Sequence, residues 1–338
     1  MRYVREFLQL APAQRDHLPA GRIALGVALP LLLLLSLNRL DLTIYASFAA
    51  FTGIYARHEP LSSRFRHQLT SAVLLLTCEA FGWWLAATHI GPWGLALAAA
   101  VTSGVGAVLA AALGLRPAGS LFFVFAVTSI ASLPKPAPFG LAMGVGVAAA
   151  AFSVTLGVLG ARFSERTRPD ELHLPPPNSL REVELTWHGL RHTLAALLGG
   201  AAAALLAAFG HGAWAVVAAV APISAQDHQG RVKRGIQRIV GTLLGVVFSA
   251  VLLAVPWQPW AQVVWIVTLQ FLAELFVARN YSVALLFVTP LALLMTQLAH
   301  PSGTWGLLAS RTVETVVGAA IGLGVVWVVR SAEERRSV

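Results

Sequence analysis

A single cysteine, Cys78, in a chain of 338 residues leaves no partner for an internal disulfide. It sits inside an apolar run and reads as a small packing residue, so thiol redox chemistry is not indicated. Charge is scarce too. Only 12% of residues are Asp, Glu, Lys or Arg, against 57% apolar, whereas a soluble domain carries about a quarter charged residues. So few polar positions cannot clothe a water-soluble surface, and lipid must be the solvent for most of the chain. Catalytic signatures are missing as well: there is no phosphate-cradling glycine loop, no nucleophile elbow and no zinc-ligand spacing. His188 and His192 are four apart but lack a third ligand. No cofactor or metal is implied, the chain does not read as an enzyme, and active transport would draw on an ion gradient, a voltage or a partner.

What the chain does have is a succession of apolar runs. Measured against the roughly 20 residues that cross a bilayer, they predict helices near 22–37, 42–56, 68–90, 93–114, 117–133, 138–162, 190–209, 212–225, 239–256, 259–278, 282–300 and 304–330. The runs are continuous and do not alternate, which excludes a β-barrel. The expected fold is an all-α membrane protein of about twelve transmembrane helices. Basic residues precede the first run, but no small-residue cleavage pattern follows, so it reads as a membrane helix and not a signal peptide. Before it, MRYVREFLQL has the pattern of an interfacial helix, or is a frayed tail.

The net charge of +9 has a distribution that orients the chain. With the N-terminus placed in the cytoplasm, 21 of the 24 Lys and Arg residues fall at the termini and on even-numbered connections; only Arg39 and Lys135 fall outside, with Arg311 inside a span. That asymmetry places both termini in the cytoplasm and supports an inner-membrane location and the count of twelve. Such arginines fix topology and meet anionic headgroups. A nucleic-acid partner would need basic residues on a recognisable soluble module, and none is present.

A charged, proline-rich stretch, RTRPDELHLPPPN, divides the chain near its centre. The expected organisation is a six-helix half over 1–162, a cytoplasmic linker over 163–189, a second six-helix half over 190–330 and a tail over 331–338. Sliding the halves by 169 residues aligns Arg22 with Arg191, Tyr45 with Trp214, Arg64 with Lys233, Gln68 with Gln237 and Leu75 with Leu244. Each half has an even number of spans, so the repeats are parallel, related by a pseudo-two-fold axis along the membrane normal.

Two stretches are more specific. QDHQGRVKRGIQRIVGTLLG, from Gln226 to Gly245, carries Arg238-x-x-Gly241-Thr242-x-x-Gly245; ARNYSVALLFVTPLALLM, from Ala278 to Met295, carries Arg279-Asn280-Tyr281 and Thr289-Pro290. RFRHQLTSAVLL in the first half is a degenerate copy of the former. These stretches resemble the fusaric acid resistance and aromatic acid exporter superfamily, with a more distant similarity to plant aluminium-activated malate channels. The resemblance implies export of aromatic or other small organic acids. The chain departs from the large bacterial members in having no sizeable soluble domain between or after its halves.

Candidate pathway residues follow from position. Glu79 lies near the midplane of its helix with no sequence-local cation; desolvation disfavours its charged form, which suits a proton carrier, the alternative being a neutral packing residue. Arg311, Glu314, Thr315, Gly318 and Gly322 share one face of the twelfth helix. There Arg311 either contacts the transported anion or pairs with Glu314 to hold helices. Glu274 is expected to snorkel to the interface. The second and eighth runs are the shortest and carry Gly53 and Pro222 at aligned positions, the strongest pointer to a transport site. Tyr45 and Trp214, also aligned, either flank the route or anchor at the interface. Pro290 frees a backbone carbonyl that Thr289 is placed to rebond. Arg238 and Arg279 join this set through the resemblance. The implied partners are a small organic anion, protons and the bilayer; the oligomeric state is not specified. A passive anion channel and a membrane scaffold remain as alternatives.

Overall fold

The computed structural model describes residues 10–12, 15–165, 182–206, 213–225, 227–299 and 303–329. Residues 1–9 of the stretch expected to be an interfacial helix or a frayed tail, most of the expected linker and the expected tail lie outside them. The described residues form twelve α-helices and no strands: α1 (His17–Ser36), α2 (Thr43–Ala50), α3 (Leu61–Ala87), α4 (Pro92–Ala112), α5 (Leu121–Ala131), α6 (Phe139–Leu159), α7 (Glu182–Leu206), α8 (Ala213–Ile223), α9 (His228–Leu253), α10 (Pro259–Val277), α11 (Tyr281–Ala299) and α12 (Thr304–Val328).

Nine helical stretches, 18 to 27 residues long, are long and apolar enough to cross a membrane among the described residues. Their outward faces agree. Leu97, Val101 and Val105 recur every four residues along α4 and each is more than half exposed, a stripe suited to contact with lipid.

Three apolar segments fall short: Leu40–Ile54, Leu121–Ala131 and Trp214–Ile223. Eleven residues of α-helix rise about 16 Å, roughly half of a ~30 Å hydrocarbon core. In the first of these, α2 is flanked by 3-10 turns at Leu40–Leu42 and Phe51–Ile54, the latter containing Gly53; Pro222 sits in the last turn of α8. Several long helices begin earlier than hydropathy predicts, α3 at Leu61 and not 68, α9 at His228 and not 239. A hydropathy window stops at charge, but Arg, Lys and Gln are good helix formers and carry the helix on.

The described chain forms two compact units. One comprises Met1–Ala72, Ala137–Arg166 and Gln237–Thr312; the other Val73–Pro136, Thr167–Ile236 and Val313–Val338. Each therefore draws on both sequence halves. In the first, α1 packs on α10 and on α2, α2 on α6, and α10 on α11, around Val27, Leu31, Ile266, Leu269, Leu291 and Leu294. In the second, α4 packs on α7 and α5, and α8 on α7 and α5. Its core is built from small residues, Ala99, Ala195, Ala196, Val216, Ala219 and Val220 among them, which lets helix backbones approach closely.

Candidate functional site

A cluster of buried ionisable side chains in the first unit lies where α1, the end of α2, the start of α3 and the end of α6 meet. Arg22 is buried; its Nε donates to Glu165 Oε1 at 2.8 Å and its Nη1 to the Gly53 carbonyl at 3.1 Å. That carbonyl comes free because the short second segment ends in a 3-10 turn and its chain turns away at Tyr55. Arg64, 1% exposed, donates from Nη1 to Glu165 Oε2 at 2.6 Å, from Nε to Glu59 O and from Nη2 to Arg57 O. Glu165 is reached through a π-helical turn, Gly160–Ser164, that ends α6. One carboxylate thus bridges two buried guanidinium groups, each held in place by backbone carbonyls.

A second pair lies in the same unit. Arg57 Nη1 donates to Glu274 Oε2 at 3.1 Å, and Glu274 Oε1 accepts from Gln270 at 3.2 Å. Glu274 is only 6% exposed, which corrects the expectation that it snorkels: a cation and an amide already meet its carboxylate inside, so reaching for water gains nothing. His67 Nδ1 and Glu59 Oε2 are 2.6 Å apart. Burial, with Arg57 beside it, pushes His58 below the usual histidine range.

The two stretches singled out by resemblance meet in space. Arg238 of α9 donates from Nη1 to the Tyr281 hydroxyl at 3.1 Å, and a side chain at Gly241 would strike Ser282 O and Leu285 of α11. Gly245 lies equally close to Thr289. Thr289 is fully buried, and its Oγ1 has no hydrogen-bond partner among the described residues, so it does not rebond the turn above Pro290. Arg279 Nε donates to Ala11 O at 3.0 Å, with its guanidinium 5.8 Å from the Phe276 ring centre.

In the second unit, one face of α12 packs on α8. Glu314 Oε2 accepts from the Trp214 amide at 3.0 Å, placing a carboxylate at the N-terminal, positive end of α8. One and two turns further on, a Cβ at Gly318 or Gly322 would run into the carbonyls of Ala215 and Ala219, and Pro222 borders Gly322. The shared face expected for Glu314, Gly318 and Gly322 is therefore a helix-to-helix seam. Trp214 is 8% exposed with its ring 5.0 Å from that of Phe125, and Tyr45 is 0% exposed. Both aromatics are packed inside, which takes them out of an interfacial belt. Arg311 is 1% exposed. Glu79 is 0% exposed, and neither carboxyl oxygen has a hydrogen-bond partner among the described residues.

One cavity, about 410 Å³, is lined by Trp257, Gln262, Leu294, Gln297 and Thr304, among others. It contains no charged residue and none of the candidates. Bidentate, charge-assisted pairing with guanidinium is a strong way to hold a carboxylate, which makes the Arg22–Arg64 cluster the better candidate site. Sequence reasoning passes over Glu165 because it stands at the edge of a linker. The usable signal is its place in a charged run just beyond a span whose neighbours are arginine-rich.

Membrane-length helices with apolar outer faces and buried ionic clusters define a multi-pass helical membrane protein. Residues 191–325 match the family described as fusaric acid resistance protein-like, in line with the resemblance carried by Arg238-x-x-Gly241 and Thr289-Pro290. An uncharacterized membrane protein of Bacillus subtilis (strain 168) is 31% identical over 123 residues, 36% of this chain and 19% of the relative. An uncharacterized protein of a Synechocystis strain is 32% identical over 138 residues, 40% of this chain and 18% of the relative. The chain thus spans about a fifth of the length of the curated relatives it matches. No solved structure matches.

Proposed function

We propose that this protein exports small organic acids, aromatic carboxylates foremost, across the inner membrane, and that inward proton flow drives the export. The observation that carries the reading is Glu79: a carboxyl group sealed inside a membrane-length helix with both oxygens unpartnered among the described residues. Such a group is costly to keep for packing alone and is suited to taking up and releasing a proton when water reaches it. The match to a fusaric acid resistance family supports the substrate class, since fusaric acid is a pyridine carboxylic acid. Uptake of a panel of organic acids into inside-out proteoliposomes, with and without an acidic lumen, tests the reading. Accumulation against the substrate gradient only when the lumen is acidic is expected. Equilibration independent of pH would replace it with the passive channel.

The two halves are, in this reading, parallel repeats related by an axis along the membrane normal. The first unit takes α1, α2 and α6 from one half and most of α9, α10 and α11 from the other; the second takes α7 and α8 with most of α12, and α4 and α5 with most of α3. The aligned arginines agree. Arg22 lies against Gly160 at the end of α6, and Arg191 Nε donates to Val329 O at the end of α12; Gly160 and Val329 are 169 residues apart. Cytoplasmic termini complete the proposal. Cysteine placed at Ser63 or Ser302, in a Cys78→Ala background, is expected to react with an impermeant reagent in spheroplasts only at Ser302. Reaction at Ser63 alone would reverse the orientation.

A further inference from the structure

We propose that Arg22 and Arg64 form a binding site for a small organic carboxylate, and that Glu165 of the same chain occupies it as an internal stand-in. Taking the ligand to be a transported acid rests on the proposed function; the site itself rests on geometry.

Its two guanidinium groups address one carboxylate from two sides. Arg22 Nε takes one oxygen at 2.8 Å and Arg64 Nη1 the other at 2.6 Å. Neither arginine is free to follow Glu165 if it leaves, because backbone carbonyls hold both: Gly53 for Arg22, Glu59 and Arg57 for Arg64. A pre-set pair of cations is what a carboxylate ligand requires.

One donor is left over in the cluster. Arg22 and Arg64 share the Glu165 carboxylate, while Arg57 pairs with Glu274 and Asp16 and His67 lies against Glu59. Arg22 Nη2 is buried and has no hydrogen-bond partner among the described residues, a donor left over after Glu165 has taken its place. Glu165 follows a π-helical turn, and its amide closes that turn on Gly160 O at 2.7 Å, so withdrawing it breaks one backbone hydrogen bond beyond the end of α6.

The test uses the full chain in phosphatidylcholine nanodiscs, with benzoate binding measured by calorimetry. Glu165→Gln removes the internal competitor and is expected to bind benzoate about tenfold tighter than the parent, the size of one charge-assisted hydrogen bond. Adding Arg64→Lys, which keeps the charge but loses the fork, is expected to abolish the gain. A folded Glu165→Gln protein with parental affinity overturns the proposal, as does a gain that survives Arg64→Lys. If Glu165→Gln does not fold, Glu165→Asp keeps the charge on a stem too short to reach both arginines. A gain of about threefold is then expected, and none overturns the proposal. A benzoate gain in a protein that moves no acid would leave this site standing and sink the transporter; proton-driven transport without the gain would do the reverse.

Discussion

Arg57→Met is expected to destabilise the protein by about 3–5 kcal/mol, because it strands the buried Glu274 carboxylate without its ion pair. Few single changes in this chain should cost more. Gln270 would remain as the only described partner of that carboxylate, and an amide does not neutralise a charge. Arg57 also lies 4.0 Å from Asp16 Oδ1 and donates to Asp16 O at 3.2 Å, so the start of α1 loses an anchor as well. The diagnostic comparison is the double variant Arg57→Met with Glu274→Gln. Removing both charges is often close to neutral, so unfolding in detergent should show the double variant recovering most of the loss. If it is as unstable as Arg57→Met alone, the arginine acts through packing and its hydrogen bond to the backbone, and not through its charge.

Glu79→Gln is expected to abolish gradient-driven accumulation while sparing downhill exchange. The substitution keeps shape and hydrogen-bonding capacity and removes only the exchangeable proton. A pH difference of one unit supplies about 1.4 kcal/mol per proton, enough for about tenfold accumulation of a substrate exchanged one for one. Parent proteoliposomes should approach that ratio, and Glu79→Gln should fall to an inside-to-outside ratio near one at an unchanged rate of exchange. Accumulation by the variant at the parental ratio would remove the proton role from Glu79.

How legible these features are depends on what hydropathy can encode. The runs around 42–56 and 212–225 are short in the sequence and short in the structure, because a length deficit and a Gly or Pro breaker are local properties. The meeting of Arg238 with Tyr281 is half legible: each stretch stands out alone, but their contact across 43 residues does not. Counting charge by loop treats Arg22, Arg57 and Arg64 as marks of sidedness, and the structure gives the same residues buried partners, Glu165 and Glu274. Those pairings span 101 to 217 residues, beyond any periodicity argument. The split into units is hidden for the same reason, since apolar runs say where helices are and not which helices touch.

The interleaving of the units has a consequence for how the chain is made. α1 emerges well before its partner α10, which starts at Pro259, and Glu274 follows Arg57 by 217 residues. At ~5–20 residues per second, Arg57 waits on the order of ten seconds or more for Glu274, Asp16 being the counter-charge made before it. Glu165 relieves Arg22 and Arg64 earlier, once α6 has been synthesised. The first six helices therefore enter the membrane as an open set, and neither unit is complete until α12 is in place. Insertion is sequential, but both units wait for α12.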